Sequence, residues 1–90
     1  EVRIRSASRA EYDALEERVS SAMMTMGGRP AGLMVNMVRP DNDGFLITAV
    51  WRTEPEMRRF YEEAVVPALA ELGLNVQDLT VWPVWGFARP

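Results

Sequence analysis

The chain has no cysteine, no histidine and no lysine. Without cysteine there is no disulfide and no thiolate metal site. Without histidine, the commonest metal ligand, the usual general base and the usual proximal haem ligand are all missing. The basic residues are all arginine, 10 against 13 acids, for a net charge of −3. That balance leaves no electrostatic footprint for nucleic acid. No apolar run reaches the ~20 residues of a membrane span, and no signal-peptide pattern opens the sequence. The expectation is a cytoplasmic protein that meets neither nucleic acid nor membrane and holds no metal and no cofactor.

What is present is a single domain's worth of alternating pattern, residues 1–90. A chain of this length buries only roughly 60–65% of its unfolded surface, so its core is marginal unless a disulfide, a metal or a partner adds to it. The composition leaves the partner.

Val2 to Ala7 reads as a short strand. Ser8-Arg9-Ala10-Glu11 fits a capping box, and Tyr12, Leu15, Val19, Ala22, Met23 and Met26 follow at helical spacing until Gly27-Gly28. Ala31 to Arg39 and Phe45 to Arg52 read as a hairpin around Pro40–Gly44. The acids in that turn lack EF-hand spacing and are ordinary turn formers. Thr53-Glu54-Pro55-Glu56 fits a second capping box, with Glu54 and Arg58 paired outside. The helix after it runs to Gly73, with a kink or break expected at Pro67. Leu79 to Ala88 reads as the last strand. The order β-α-β-β-α-β predicts an α+β fold, the ferredoxin-like four-stranded antiparallel sheet with two helices on one face. The first and third strands are then central, and Pro83 suits an edge.

Parity divides the hairpin into two faces. Met34, Asn36, Val38, Phe45, Ile47, Ala49 and Trp51 share one; Leu33, Val35, Met37, Leu46, Thr48 and Val50 share the other. Both are apolar, while two helices cover only one side. The exposed side predicts a symmetric homodimer packed sheet against sheet.

The stretch Gly44-Phe45-Leu46-Ile47-Thr48-Ala49-Val50-Trp51-Arg52-Thr53-Glu54-Pro55-Glu56, with Arg59-Phe60-Tyr61-Glu62-Glu63-Ala64-Val65-Val66-Pro67-Ala68-Leu69, resembles the dimeric α+β barrel superfamily. More narrowly, it resembles the antibiotic-biosynthesis monooxygenase-like domains. The resemblance implies a homodimer whose sheets form a barrel, with a pocket between sheet and helices in each subunit. Some members are cofactor-free oxygenases that convert polycyclic phenols or anthrones to quinones. Others degrade haem, and others are cyclases or isomerases. Several oxygenases use an asparagine and a tryptophan near the reacting oxygen. Trp51 matches that tryptophan. Asn36 does not clearly match the asparagine, which often lies on the first strand, where this chain has Arg3 or Arg5. Haem degradation needs a histidine that the chain lacks.

The candidate catalytic residues are therefore Asn36 and Trp51. Asn36 is expected as a buried amide that holds an oxyanion or a substrate carbonyl, or else is tied structurally to backbone, Tyr12 or Tyr61. Trp51 either walls a pocket or packs over Gly32. Candidate substrate-binding residues are Met34, Phe45, Met57, Tyr61 and Trp82. The methionines suit an irregular apolar ligand and equally an ordinary core. Arg39 and Arg52 flank the hairpin and either anchor an anionic substrate group or, the favoured reading, are solvated or paired with Asp41, Asp43 or Glu54. Trp82 and Trp85, three apart in a strand, face opposite sides, with Trp82 given to the pocket and Trp85 to the dimer contact. The expected function is a cofactor-independent monooxygenase or related cyclase acting on an aromatic or polyketide-like molecule. The alternatives are a dimeric barrel that binds a hydrophobic small molecule without turnover, or a purely structural dimer.

Overall fold

The computed structural model describes residues 1–74 and 76–86. Its strands are β1 (Val2–Ile4), β2 (Leu33–Asp41), β3 (Gly44–Trp51) and β4 (Val76–Leu79). They form one antiparallel sheet in the order β2-β3-β1-β4, so the first and third strands are central. Between them lie helix α1 (Arg9–Thr25) and a second helical arm. The arm consists of α2 (Glu54–Phe60), a π turn (Tyr61–Val65) and α3 (Val66–Leu72). Among the described residues, no helix is long and apolar enough to cross a membrane.

The ends of α1 follow from its sequence. Ser8 and Glu11 close a full capping box, which satisfies two orphan N–H groups at once. At the other end Gly28 N–H donates to the Met23 carbonyl at 2.7 Å and Gly27 N–H to Met24 at 3.3 Å. Both glycines take positive φ, 98° and 110°, the conformation this paired closure needs. The second box forms only in part. Thr53 caps α2, but the Glu56 carboxylate accepts from the Thr53 hydroxyl at 2.8 Å and from Arg52 at 2.9 and 3.1 Å. The expected Glu54–Arg58 pair is present at 2.7 Å.

Several boundaries differ from the sequence reading. β1 stops at Ile4, before Ser6 turns to a left-handed φ of 53°. β2 runs on to Asp41 and β3 starts at Gly44, so the hairpin turns within Asn42-Asp43. The regular α-helix of the arm is interrupted just before Pro67 by the π turn Tyr61–Val65, while the chain stays helical through Pro67. The last strand is Val76–Leu79, not 79–88. Thr80 N–H still donates to the Glu1 carbonyl at 2.9 Å, but residues 80–86 form no strand. The end of the expected strand, 87–88, lies outside the described residues.

The register keeps the two expected faces from Val35 to Val50 and corrects them only at the start of β2. The β2–β3 pairing slips between Leu33 and Val35, so Leu33 stands opposite Trp51 and Met34 is the bulged residue. A bulge of this kind puts neighbours on the face opposite to simple alternation. Val2, Ile4, Phe45, Ile47 and Val38 lie toward the helices, and the core gathers there with Ala7, Leu15, Ala68, Leu69 and Leu74. The other face is open. It is apolar at one end, where Val35, Met37, Thr48 and Val50 pair across the hairpin. At the other end it is ionic. Arg3 meets Asp41 at 2.7 Å and Asp78 at 3.7 Å, and Arg39 meets Asp41 at 3.7 Å. Leu46 lies between Arg3 and Arg39 in the pairing and is buried. Arginine stems shield apolar neighbours in this way.

Candidate functional site

A cleft of about 600 Å³ opens between the helix-facing side of the sheet, the second helical arm and the segment after β4. The sheet contributes Val2, Asn36, Ile47, Ala49, Trp51 and Leu79; the arm contributes Met57, Phe60, Tyr61 and Val65; the segment contributes Thr80 to Val84. Three sequence features produce it. β3 ends in Trp51, which places an indole at the sheet's end. The Thr53 cap then turns the chain sharply into α2. Met57, Phe60 and Tyr61 follow at three- and four-residue spacing on one helix face.

Of the residues singled out in the sequence, the fold brings Asn36, Trp51, Met57, Tyr61 and Trp82 to this cleft. The Trp51 and Phe60 rings stand 5.5 Å apart at a tilt of 41°. Met34 and Phe45 are not part of the lining. Met34 is the bulged residue of β2, and Phe45 is buried in the core with its ring 5.3 Å from Tyr12 in an edge arrangement. Asn36 is exposed, not a buried amide. It faces the helices' side of the sheet opposite Ala49, but on an edge strand at the cleft's mouth. Trp51 stands opposite Leu33 rather than Gly32. Gly32 is instead the seat of Glu56, whose carboxylate fills the space where a Cβ would stand.

Phe60, Val65, Ile47 and Ala49 line the cleft without having been marked as site residues. Phe60 and Val65 carry the one usable signal, since they continue the Met57–Tyr61 face along the arm. Trp82 reaches the cleft from an irregular segment and remains 55% exposed, while Trp85 is 99% exposed. The two rings do part company, but strand alternation is not the reason.

Burial pushes the Tyr61 phenol above its ordinary pKa, so at neutral pH it is a protonated hydrogen-bond donor beside apolar walls. Tyr12 is also raised, first by burial and then by its hydrogen bond to Glu16, but it packs on Phe45 in the core. At the rim, hydrogen bonds from Arg52 and then from Thr53 hold Glu56 below the usual carboxylate range. Arg52 and Glu54 therefore enter the cleft already paired, to Glu56 and Arg58. Among the described residues, no group of three acidic side chains stands close enough to hold a metal. The chain matches no family model, no curated protein and no solved structure.

Proposed function

We propose that the chain is a cofactor-independent monooxygenase, or a related cyclase, acting on an aromatic or polyketide-like small molecule in this cleft. The cleft carries the reading. Its volume of about 600 Å³ lies within the ordinary range of small-molecule sites, and Trp51, Phe60, Tyr61 and Trp82 give it aromatic walls. The βαββαβ order, read as ferredoxin-like, and the open sheet face belong to the same proposal. Two copies would pack face to face as a homodimeric α+β barrel in the cytoplasm.

In this reaction the substrate supplies the electrons. An anthrone-type methylene loses a proton, and the carbanion reduces dioxygen and joins it as a peroxide. The peroxide takes up that proton. The remaining C–H then gives up its proton as the O–O bond breaks, leaving C=O on the ring, and the departing hydroxide takes this second proton as water. Tyr61 keeps its own proton and donates to the developing oxyanion. Asn36 at the mouth orients a substrate oxygen, and Trp51 holds the ring plane. The first deprotonation rests on the acidity of the substrate itself, favoured by a dry apolar site.

One observation favours a second reading, a module that binds a hydrophobic molecule without turnover. The polar side chains Asn36, Arg52, Thr53 and Glu54 are exposed at the rim, while Val2 and Phe60 deeper in are buried and apolar. Oxygen uptake with an anthrone, run beside a tryptophan-fluorescence titration, separates the two. The enzyme consumes one dioxygen per quinone formed, and Tyr61→Phe slows turnover about a hundredfold, as loss of an oxyanion donor does. Quenching without oxygen uptake supports the binding module. Neither signal from the wild type would sink both readings.

A further inference from the structure

The second arm must serve two surfaces. Ala64, Ala68 and Leu69 are buried in the molecule's interior, while Met57, Phe60, Tyr61 and Val65 line the cleft. The arm stays helical from Glu54 to Leu72, yet its middle is a π turn in which Val66 N–H donates to the Tyr61 carbonyl, five residues back. Pro67 follows directly. An α-helix here would ask Pro67 for an N–H it does not have, and would drive its ring into the Glu63 carbonyl. Widening the preceding turn removes both conflicts. A π turn is in effect one extra residue in an α-helix, and each residue turns the helix by about 100°. The half after the turn is anchored by Ala68 and Leu69. The rotation of the half before it, which carries Met57, Phe60 and Tyr61, is therefore set by the turn.

We propose that Pro67 is a positioning residue for the cleft: by holding the arm in a π turn, it sets the rotation that aims Tyr61, Phe60 and Met57 at the bound molecule. The value of that aim rests on the cleft being a ligand site, as proposed above. Pro67 itself lines the groove between α1 and the arm, away from the cleft.

The test uses Pro67→Ala, alone and combined with deletion of Glu62, an exposed residue inside the turn. The alanine returns the N–H and lets the turn tighten, which rotates the first half out of register. Removing Glu62 as well takes out the extra residue, so a plain α-helix again aims both halves correctly. Anthrone affinity, read by tryptophan quenching, should fall about tenfold in Pro67→Ala, the scale of one lost aromatic contact. It should return in the double variant, whose melting temperature should stay level with wild type, while the single variant, which turns buried Phe60 from its seat, melts lower. A spectrophotometric tyrosine titration reads the same rotation without ligand. The high-pH tyrosine assigned to Tyr61 by Tyr61→Phe should titrate lower in Pro67→Ala and return in the double variant. If the wild type binds no anthrone, the functional reading fails and this titration alone decides the positioning role. Unchanged affinity and titration in Pro67→Ala overturn the proposal. So does a loss that the double variant does not restore, whether or not the single variant folds.

Discussion

Gly44 opens β3 where its backbone runs hard against β1. A Cβ there would collide with the Ile4 carbonyl and lie 2.9 Å from the Arg5 Cα. These are backbone atoms, with no rotamer to swing aside. Gly44→Ala should therefore destabilise the protein by about 1–3 kcal/mol, the range of overpacking, read as a lower urea midpoint. A midpoint equal to wild type would show that β1 shifts freely. The sequence marked this glycine only as a turn residue, because a close approach between strands 40 residues apart leaves no local trace. The same limit explains Asn36. Its face was legible from parity, but its exposure depends on how far the arm reaches over an edge strand. Trp51, Met57 and Tyr61 were legible because strand end, cap and helical spacing are local facts.

Among the elements, caps and glycine stops were readable almost to the residue, since each is a contact between near neighbours. The last strand was not. Val81-Trp82-Pro83-Val84-Trp85 has the composition of a strand, yet the paired segment is Val76-Gln77-Asp78-Leu79. Composition records a preference for pleated, half-buried surface; the partner decides which segment is paired. The corner between β3 and α2 carries its own prediction. The Glu56 carboxylate joins Arg52, Thr53 and the space over Gly32, and its pKa is lowered, first by Arg52. A depressed carboxylate contributes stability that is complete above its unfolded pKa and is lost as pH falls through its folded value. Glu56→Gln should therefore melt below wild type at neutral pH, and the gap should narrow as the solution is made acidic. Both are read from melting curves taken across that range. A gap that holds constant into acid would mean that the amide's shape, not the charge, matters at this corner.

For the molecule as a whole, the decisive surface is the open face of the sheet. Parity predicted it apolar throughout; pairing across all four strands shows one apolar half and one ionic half. That ionic half joins β1, β2 and β4 through Arg3, Arg39, Asp41 and Asp78, a set no single segment reveals. Two cations and two anions cancel there, so this corner does not repel a second copy, and the apolar half remains the part that gains from being covered. Met37 is its most exposed member, at 57%. Around a twofold axis, a patch meets its own image, so one substitution places two like charges close together. The proposed homodimer should sediment as a dimer at micromolar concentration, and Met37→Glu should convert it to a monomer with an unchanged far-ultraviolet circular dichroism spectrum. Met37 is not part of the cleft's lining, so tryptophan quenching by the anthrone should survive in the monomer if the cleft is complete within one chain. A wild type that sediments as a monomer, or a Met37→Glu variant as tightly dimeric as wild type, would remove the open face as the subunit contact.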